Sequence, residues 1–115
     1  MRLKDECYRL VQQIAVARDR LCRGPGCWER ATAGHHLFPG SGRNSTDFNP
    51  EYVMGLCVNC HDWAHHKPDE FDSWAINLLG PIYREGEYWT NIPKRDIDFN
   101  RMRDDLKKTL SFYSK

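Results

Sequence analysis

No apolar run in the 115 residues approaches the length a bilayer span needs. The opening stretch MRLKDECYRLVQQIAVARDR carries charge throughout, unlike the apolar centre of a secretory leader. The expectation is a soluble cytoplasmic protein with no membrane partner. Charge of one sign is also missing: seventeen Lys and Arg stand against sixteen Asp and Glu, a formal net charge of +1. Bulk electrostatics therefore give no signature of a nucleic-acid binder, and affinity for DNA would have to arise at a local site. Internal repeats, low-complexity tracts and interdomain linkers are absent, so residues 1–115 read as a single domain. Lacking too is the even cysteine count of a disulfide framework, since there are five cysteines.

Four of those five fall into two close pairs, Cys22-Arg-Gly-Pro-Gly-Cys27 and Cys57-Val-Asn-Cys60, about thirty residues apart. Two such knuckles offer four thiolates to one tetrahedral ion, and zinc suits four soft sulfur ligands best. The expected result is a structural zinc that pins both ends of the intervening segment. By analogy with zinc-binding peptides, such a staple contributes on the order of 10 kcal/mol of binding free energy. Cys7 stands apart, on the apolar stripe Leu3, Cys7, Leu10, Val11 and Ile14 that predicts a helix over residues 3–20. There a buried, inert thiol is expected. Beyond the second knuckle, Pro68 opens a helix over 68–79 that Gly80-Pro81 ends. Asp98 caps a last helix over 98–113 with Met102, Leu106, Leu110 and Tyr113 on one face. The aromatic stretch 82–93 reads as a strand or hairpin around Gly86.

The chemistry lies in the segment between and just after the knuckles. Thr32-Ala-Gly-His35-His36-Leu-Phe is strand-like, which sends its two adjacent histidines to opposite faces. One can bind metal while the other faces substrate. Directly after Cys60 comes His61-Asp-Trp-Ala-His65, an i, i+4 pair that shares one face of a helix and can chelate a single ion. His66 lies a further 100 degrees round and points elsewhere. With the knuckles joined, His35, His61 and His65 converge as three imidazoles with coordination positions to spare, the ligand pattern of a catalytic metal.

This array, from Cys22 to His65 or His66, resembles the zinc-stapled form of the HNH, or ββα-metal (His-Me finger), endonucleases. The resemblance implies an α+β fold with a ββα-metal core over residues 22–66, stapled by the four-cysteine zinc and flanked by the helices at 3–20, 68–79 and 98–113. In colicin-type members of that family the first residue of the strand doublet holds the metal and the second is the general base. By resemblance, His35 is then a ligand together with His61 and His65, and His36 is the base. The family's loop-tethering asparagine has Tyr52 in its place here. The tether would then be Asn49 or the Tyr52 hydroxyl.

What the resemblance implies is hydrolysis of DNA phosphodiester bonds to a 3′-hydroxyl and a 5′-phosphate in a bacterial or phage-infected host cell. His36 would take the proton from the attacking water. Three imidazoles suit zinc, nickel or manganese as the catalytic ion, while magnesium and manganese are the family's common choices. Arg18, Arg20, Arg23, Arg30 and Arg43 flank the site in sequence as candidates for phosphate contact. A non-enzymatic zinc module binding DNA or protein explains the cysteines equally well but gives His36 no task. A metal-dependent hydrolase acting on another substrate fits the ligands and nothing else.

Overall fold

The computed structural model describes residues 2–38, 44–90 and 97–114. Its architecture is α+β: a two-stranded antiparallel sheet covered on both faces by helices. Strands β1 (Ala33–His36) and β2 (Val53–Leu56) pair with Ala33 opposite Leu56, Gly34 opposite Gly55, His35 opposite Met54 and His36 opposite Val53. Between the strands lie a short helix α2 (Asn44–Asp47) and a 3-10 turn (Pro50–Tyr52). Around them are α1 (Leu3–Asp19), α3 (Val58–His66), α4 (Pro68–Leu79), α5 (Pro81–Thr90) and α6 (Phe99–Tyr113).

The period-2 alternation of the strands divides the interior in two. Val53 joins Cys7, Leu10, Val11, Ile14 and Ala15 of α1, Phe48 and Leu106 of α6 in one core. Met54 and Leu56 join Ala64, Phe71, Ala75, Tyr52 and Tyr83 in the other. Helix α1 lies against the sheet by its backbone. A Cβ on Gly34 would come within 2.6 Å of the Gln12 Cα, and one on Gly55 within 3.2 Å of the Ala15 carbonyl oxygen. The facing glycines are what admit the helix so close.

The fork at the end of α1 fixes the same contact. Arg18 donates to the Pro50 carbonyl at 2.8 Å and the Val53 carbonyl at 2.7 Å while pairing with Asp19 at 2.9 Å, and Asp19 accepts from the Gly55 amide at 2.8 Å. Arg18 is thereby committed to holding β2, which corrects its reading as a phosphate contact. Cys7 is fully buried, and burial raises its pKa.

Helix α4 follows its expected bounds. Helix α6 starts after Asp98, whose carboxylate accepts from the Asn100 and Arg101 amides at 3.1 and 3.2 Å. The stretch 82–93 departs from expectation: residues up to Thr90 belong to helix α5, and 91–93 lie outside the described residues. Pro81 fits a helix's first turn, after Gly80 has turned the chain at φ +54°. Gly86 marks no turn. It is where the helix presses on Phe38, whose ring any side chain there would overlap. No helix among the described residues is long and apolar enough to cross a membrane.

Candidate metal centres

The first knuckle is a narrow ribbon. Leu21 bridges Arg30, the Cys22 amide donates to the Glu29 carbonyl at 2.7 Å, and Gly26 takes φ +64° at the tip. The second opens α3, where the Cys57 sulfur caps the helix by accepting from the Cys60 amide at 3.5 Å. Gly24 donates to the Cys22 sulfur at 3.3 Å and lies so near Cys60 that a Cβ would sit 2.5 Å from its sulfur.

The four sulfurs of Cys22, Cys27, Cys57 and Cys60 all fall within 4.8 Å of one another, with Cys27 and Cys57 3.7 Å apart. Zinc–sulfur bonds of about 2.3 Å in a tetrahedron place sulfurs about 3.8 Å apart, so the donor set fits structural zinc. The Cys60 amide holds the Cys57 thiol down to about 7, whereas burial raises that of Cys60. Four thiolates this close can all be ionised only around a cation.

The residue after Cys60 begins a second cluster. His61 and His65, one turn apart on α3, bring their Nε2 atoms to 3.0 Å, and His35 enters from β1 with ring centroids 5.3 and 5.1 Å from theirs. The donor nitrogens of all three lie within 4.8 Å of one another. Phe71 of α4 meets the His35 ring edge-on at 4.8 Å and helps set its angle. Burial, followed by the imidazoles of His61, His65 and His36, pulls His35 down to about 4, and burial also lowers His61. Both rings are therefore neutral at ordinary pH, the form that binds metal. His66 turns away and donates from Nδ1 to the Asp62 carbonyl at 2.8 Å.

His36 faces the other side of the strand. Its ring stacks on Tyr8 of α1, and its Nε2 lies 2.9 Å from the Asp47 carbonyl oxygen. A carbonyl can only accept, so Nε2 carries the proton, and in the neutral ring Nδ1 keeps a lone pair. Burial lowers the pKa of His36, with the Asp47 carbonyl pulling against it. Neither sequence candidate for the tether has this position. Asn49 caps the 3-10 turn by accepting from the Glu51 amide at 3.0 Å. The Tyr52 hydroxyl is buried away from His36, and burial, then the facing Glu85 carboxylate, pushes its pKa to about 12.

Of the arginines, Arg23 is half-buried, its own amide bonded to the Gly55 carbonyl at 3.0 Å, and Arg30 is exposed beside the first knuckle. Arg20 is exposed where α1 ends, and Arg43 lies outside the described residues. Sequence reasoning missed Arg9, Gln12 and Gln13. These line a cavity of about 620 Å³ that reaches His61. Their signal was the polar side of α1, opposite the apolar stripe that identified the helix. Comparison with family models, curated proteins and solved structures yields no match to this chain.

Proposed function

We propose that the chain is a metal-dependent endonuclease of the HNH type that hydrolyses DNA phosphodiester bonds. The observation that carries this reading is the placement of two consecutive residues of β1. His35 turns into the imidazole trio, while His36 turns the other way and is held with Nδ1 free to accept a proton. A structural zinc module has no use for the second arrangement.

A divalent ion held by His35, His61 and His65 would supply Lewis-acid stabilisation of the charge that builds on the scissile phosphate, zinc, nickel, manganese and magnesium being the candidates. His36 accepts the proton of the attacking water at Nδ1, and its Nε2–H bond to Asp47 stabilises the resulting imidazolium. Tyr8 keeps the ring from rotating out of that position. Arg9, Gln12 and Gln13 provide phosphate and base-edge contacts along the cavity that ends at His61. The four-cysteine staple fixes the start of α3 and with it the pair His61 and His65.

The test is nicking of supercoiled plasmid by the protein with added manganese, alongside His36→Ala and His65→Ala. The parent is expected to convert supercoiled to open-circular DNA. His36→Ala should bind DNA and metal yet be slower by about a hundredfold or more, and His65→Ala should be inactive but folded. A parent that binds DNA and cuts none under any of the four metals would overturn the reading in favour of a binding module.

A further inference from the structure

Beside the imidazole trio opens a cavity of about 520 Å³ whose walls include His35 and His65 themselves. Its volume is that of a small-molecule site. Three aromatic residues, Phe38, Phe71 and Tyr83, supply much of the rest, and they are set by the fold. Phe71 and Tyr83 are 1% and 6% exposed, and the Phe38 and Tyr83 rings lie 5.0 Å apart. One carboxylate, that of the half-buried Asp72, stands in the same wall.

The chemistry of these walls selects a class of ligand. A carboxylate near Asp69 and Glu87 repels anions, so a phosphate is disfavoured inside the cavity. Aromatic walls favour a flat, uncharged ring. Asp72 accepts hydrogen bonds, so the ring's edge must donate. Cytosine, adenine and guanine carry an amino group that does so, whereas thymine donates only through its N3–H, flanked by two carbonyl oxygens that repel a carboxylate. A base stacked inside a duplex cannot reach such a recess, so it must be unpaired.

We propose that this cavity binds an unpaired, amino-bearing nucleobase adjacent to the phosphate engaged at His35, His61 and His65, with Asp72 accepting from its amino group. The assignment rests on the nuclease reading for its placement along a DNA strand. It makes the enzyme selective for strands with an unpaired nucleotide next to the cut, as at branches, gaps or single-stranded tails.

The experiment is a titration of the isotope-labelled, zinc-containing protein with cytidine and with thymidine, followed by amide resonances of Phe71, Asp72 and Tyr83. Cytidine is expected to shift these signals and to bind about tenfold more tightly than thymidine. Asp72→Ala, which removes the accepting oxygens, should bring cytidine down to the level of thymidine. A short single-stranded DNA with a central cytosine should in turn bind about tenfold better than the same strand with an abasic site there. Absence of shifts with either nucleoside, equal affinity of the parent for both, or indifference to the abasic site would each overturn the proposal. A protein that nicks plasmid yet leaves these resonances unmoved would retain the nuclease reading and lose this one. Selective cytidine binding by a protein that cuts nothing would support the cavity and reject the nuclease.

Discussion

The rings of Tyr8 and His36 lie face to face, their centroids 4.1 Å apart and their planes 8° from parallel. The contact joins α1 to the last residue of β1 across 28 positions of sequence. It holds the imidazole by its face while the Asp47 carbonyl holds it by its edge. An aromatic pair of this kind contributes about 0.5–1.5 kcal/mol beyond the area it buries.

On the nuclease reading Tyr8 is therefore a positioning residue. Tyr8→Leu is expected to lower kcat by roughly threefold to tenfold with KM unchanged, the scale that about 1 kcal/mol of lost alignment gives. Tyr8→Phe should restore the parent rate. If the leucine variant changed KM alone, or if phenylalanine failed to rescue, the stack would have no part in setting the base.

The histidines give stability a definite dependence on pH. His35 is drawn down to about 4, and burial lowers His36 and His61 as well. A group with a lower pKa in the folded chain takes up its proton more readily when unfolded, so acid favours unfolding. The loss begins as pH falls through the unfolded value of about 6.5, and for His35 it is complete below about 4. Melting temperature should fall across that window, and His35→Asn should flatten part of the slope. On the nuclease reading the same burial would place the activity threshold of His36 lower than an ordinary imidazole's. A melting temperature constant from pH 7 to 4 would contradict the assignment.

Four sulfurs arranged for zinc lead to a stoichiometry. Elemental analysis should find about one tightly held zinc per chain, resistant to mild chelation that strips the open histidine site. Cys57→Ser should lower the melting temperature sharply, because Cys57 is at once a ligand and the cap of α3. A serine variant that melts with the parent would remove the staple from the account of the fold.

What was legible in the sequence is what local spacing encodes. The convergence of Cys22, Cys27, Cys57 and Cys60 follows from two knuckles, and that of His61 with His65 from one helical turn. The stripe of α1 and the Asp98 cap of α6 are equally local. What escaped depends on contacts between distant segments or on backbone atoms. A carbonyl such as that of Asp47 leaves no side-chain signature, and any residue there would offer the same oxygen. Arg18 looked like its neighbouring arginines until the fold placed Pro50 and Val53 in its reach. Helix α5 was misread because its aromatics suggested a strand and Gly86 suggested a turn. That glycine answers to the rings of Phe38 and Tyr52.

Cys60 and His61 are consecutive residues on the first turn of α3. One faces the sulfur cluster and the other the imidazole cluster, so neither can shift without carrying the other. The two centres should consequently fill in a fixed succession during maturation. Zinc capture by the thiolates would organise the helix start, and only then would His61 and His65 stand where His35 can meet them. A chain made under zinc starvation would emerge lacking its staple and, for the same reason, unable to recruit the second ion however much manganese or magnesium the cell contained. Oxidation of one knuckle would have the same outcome, so on the nuclease reading the sulfurs would exercise a veto on activity from outside the reacting groups.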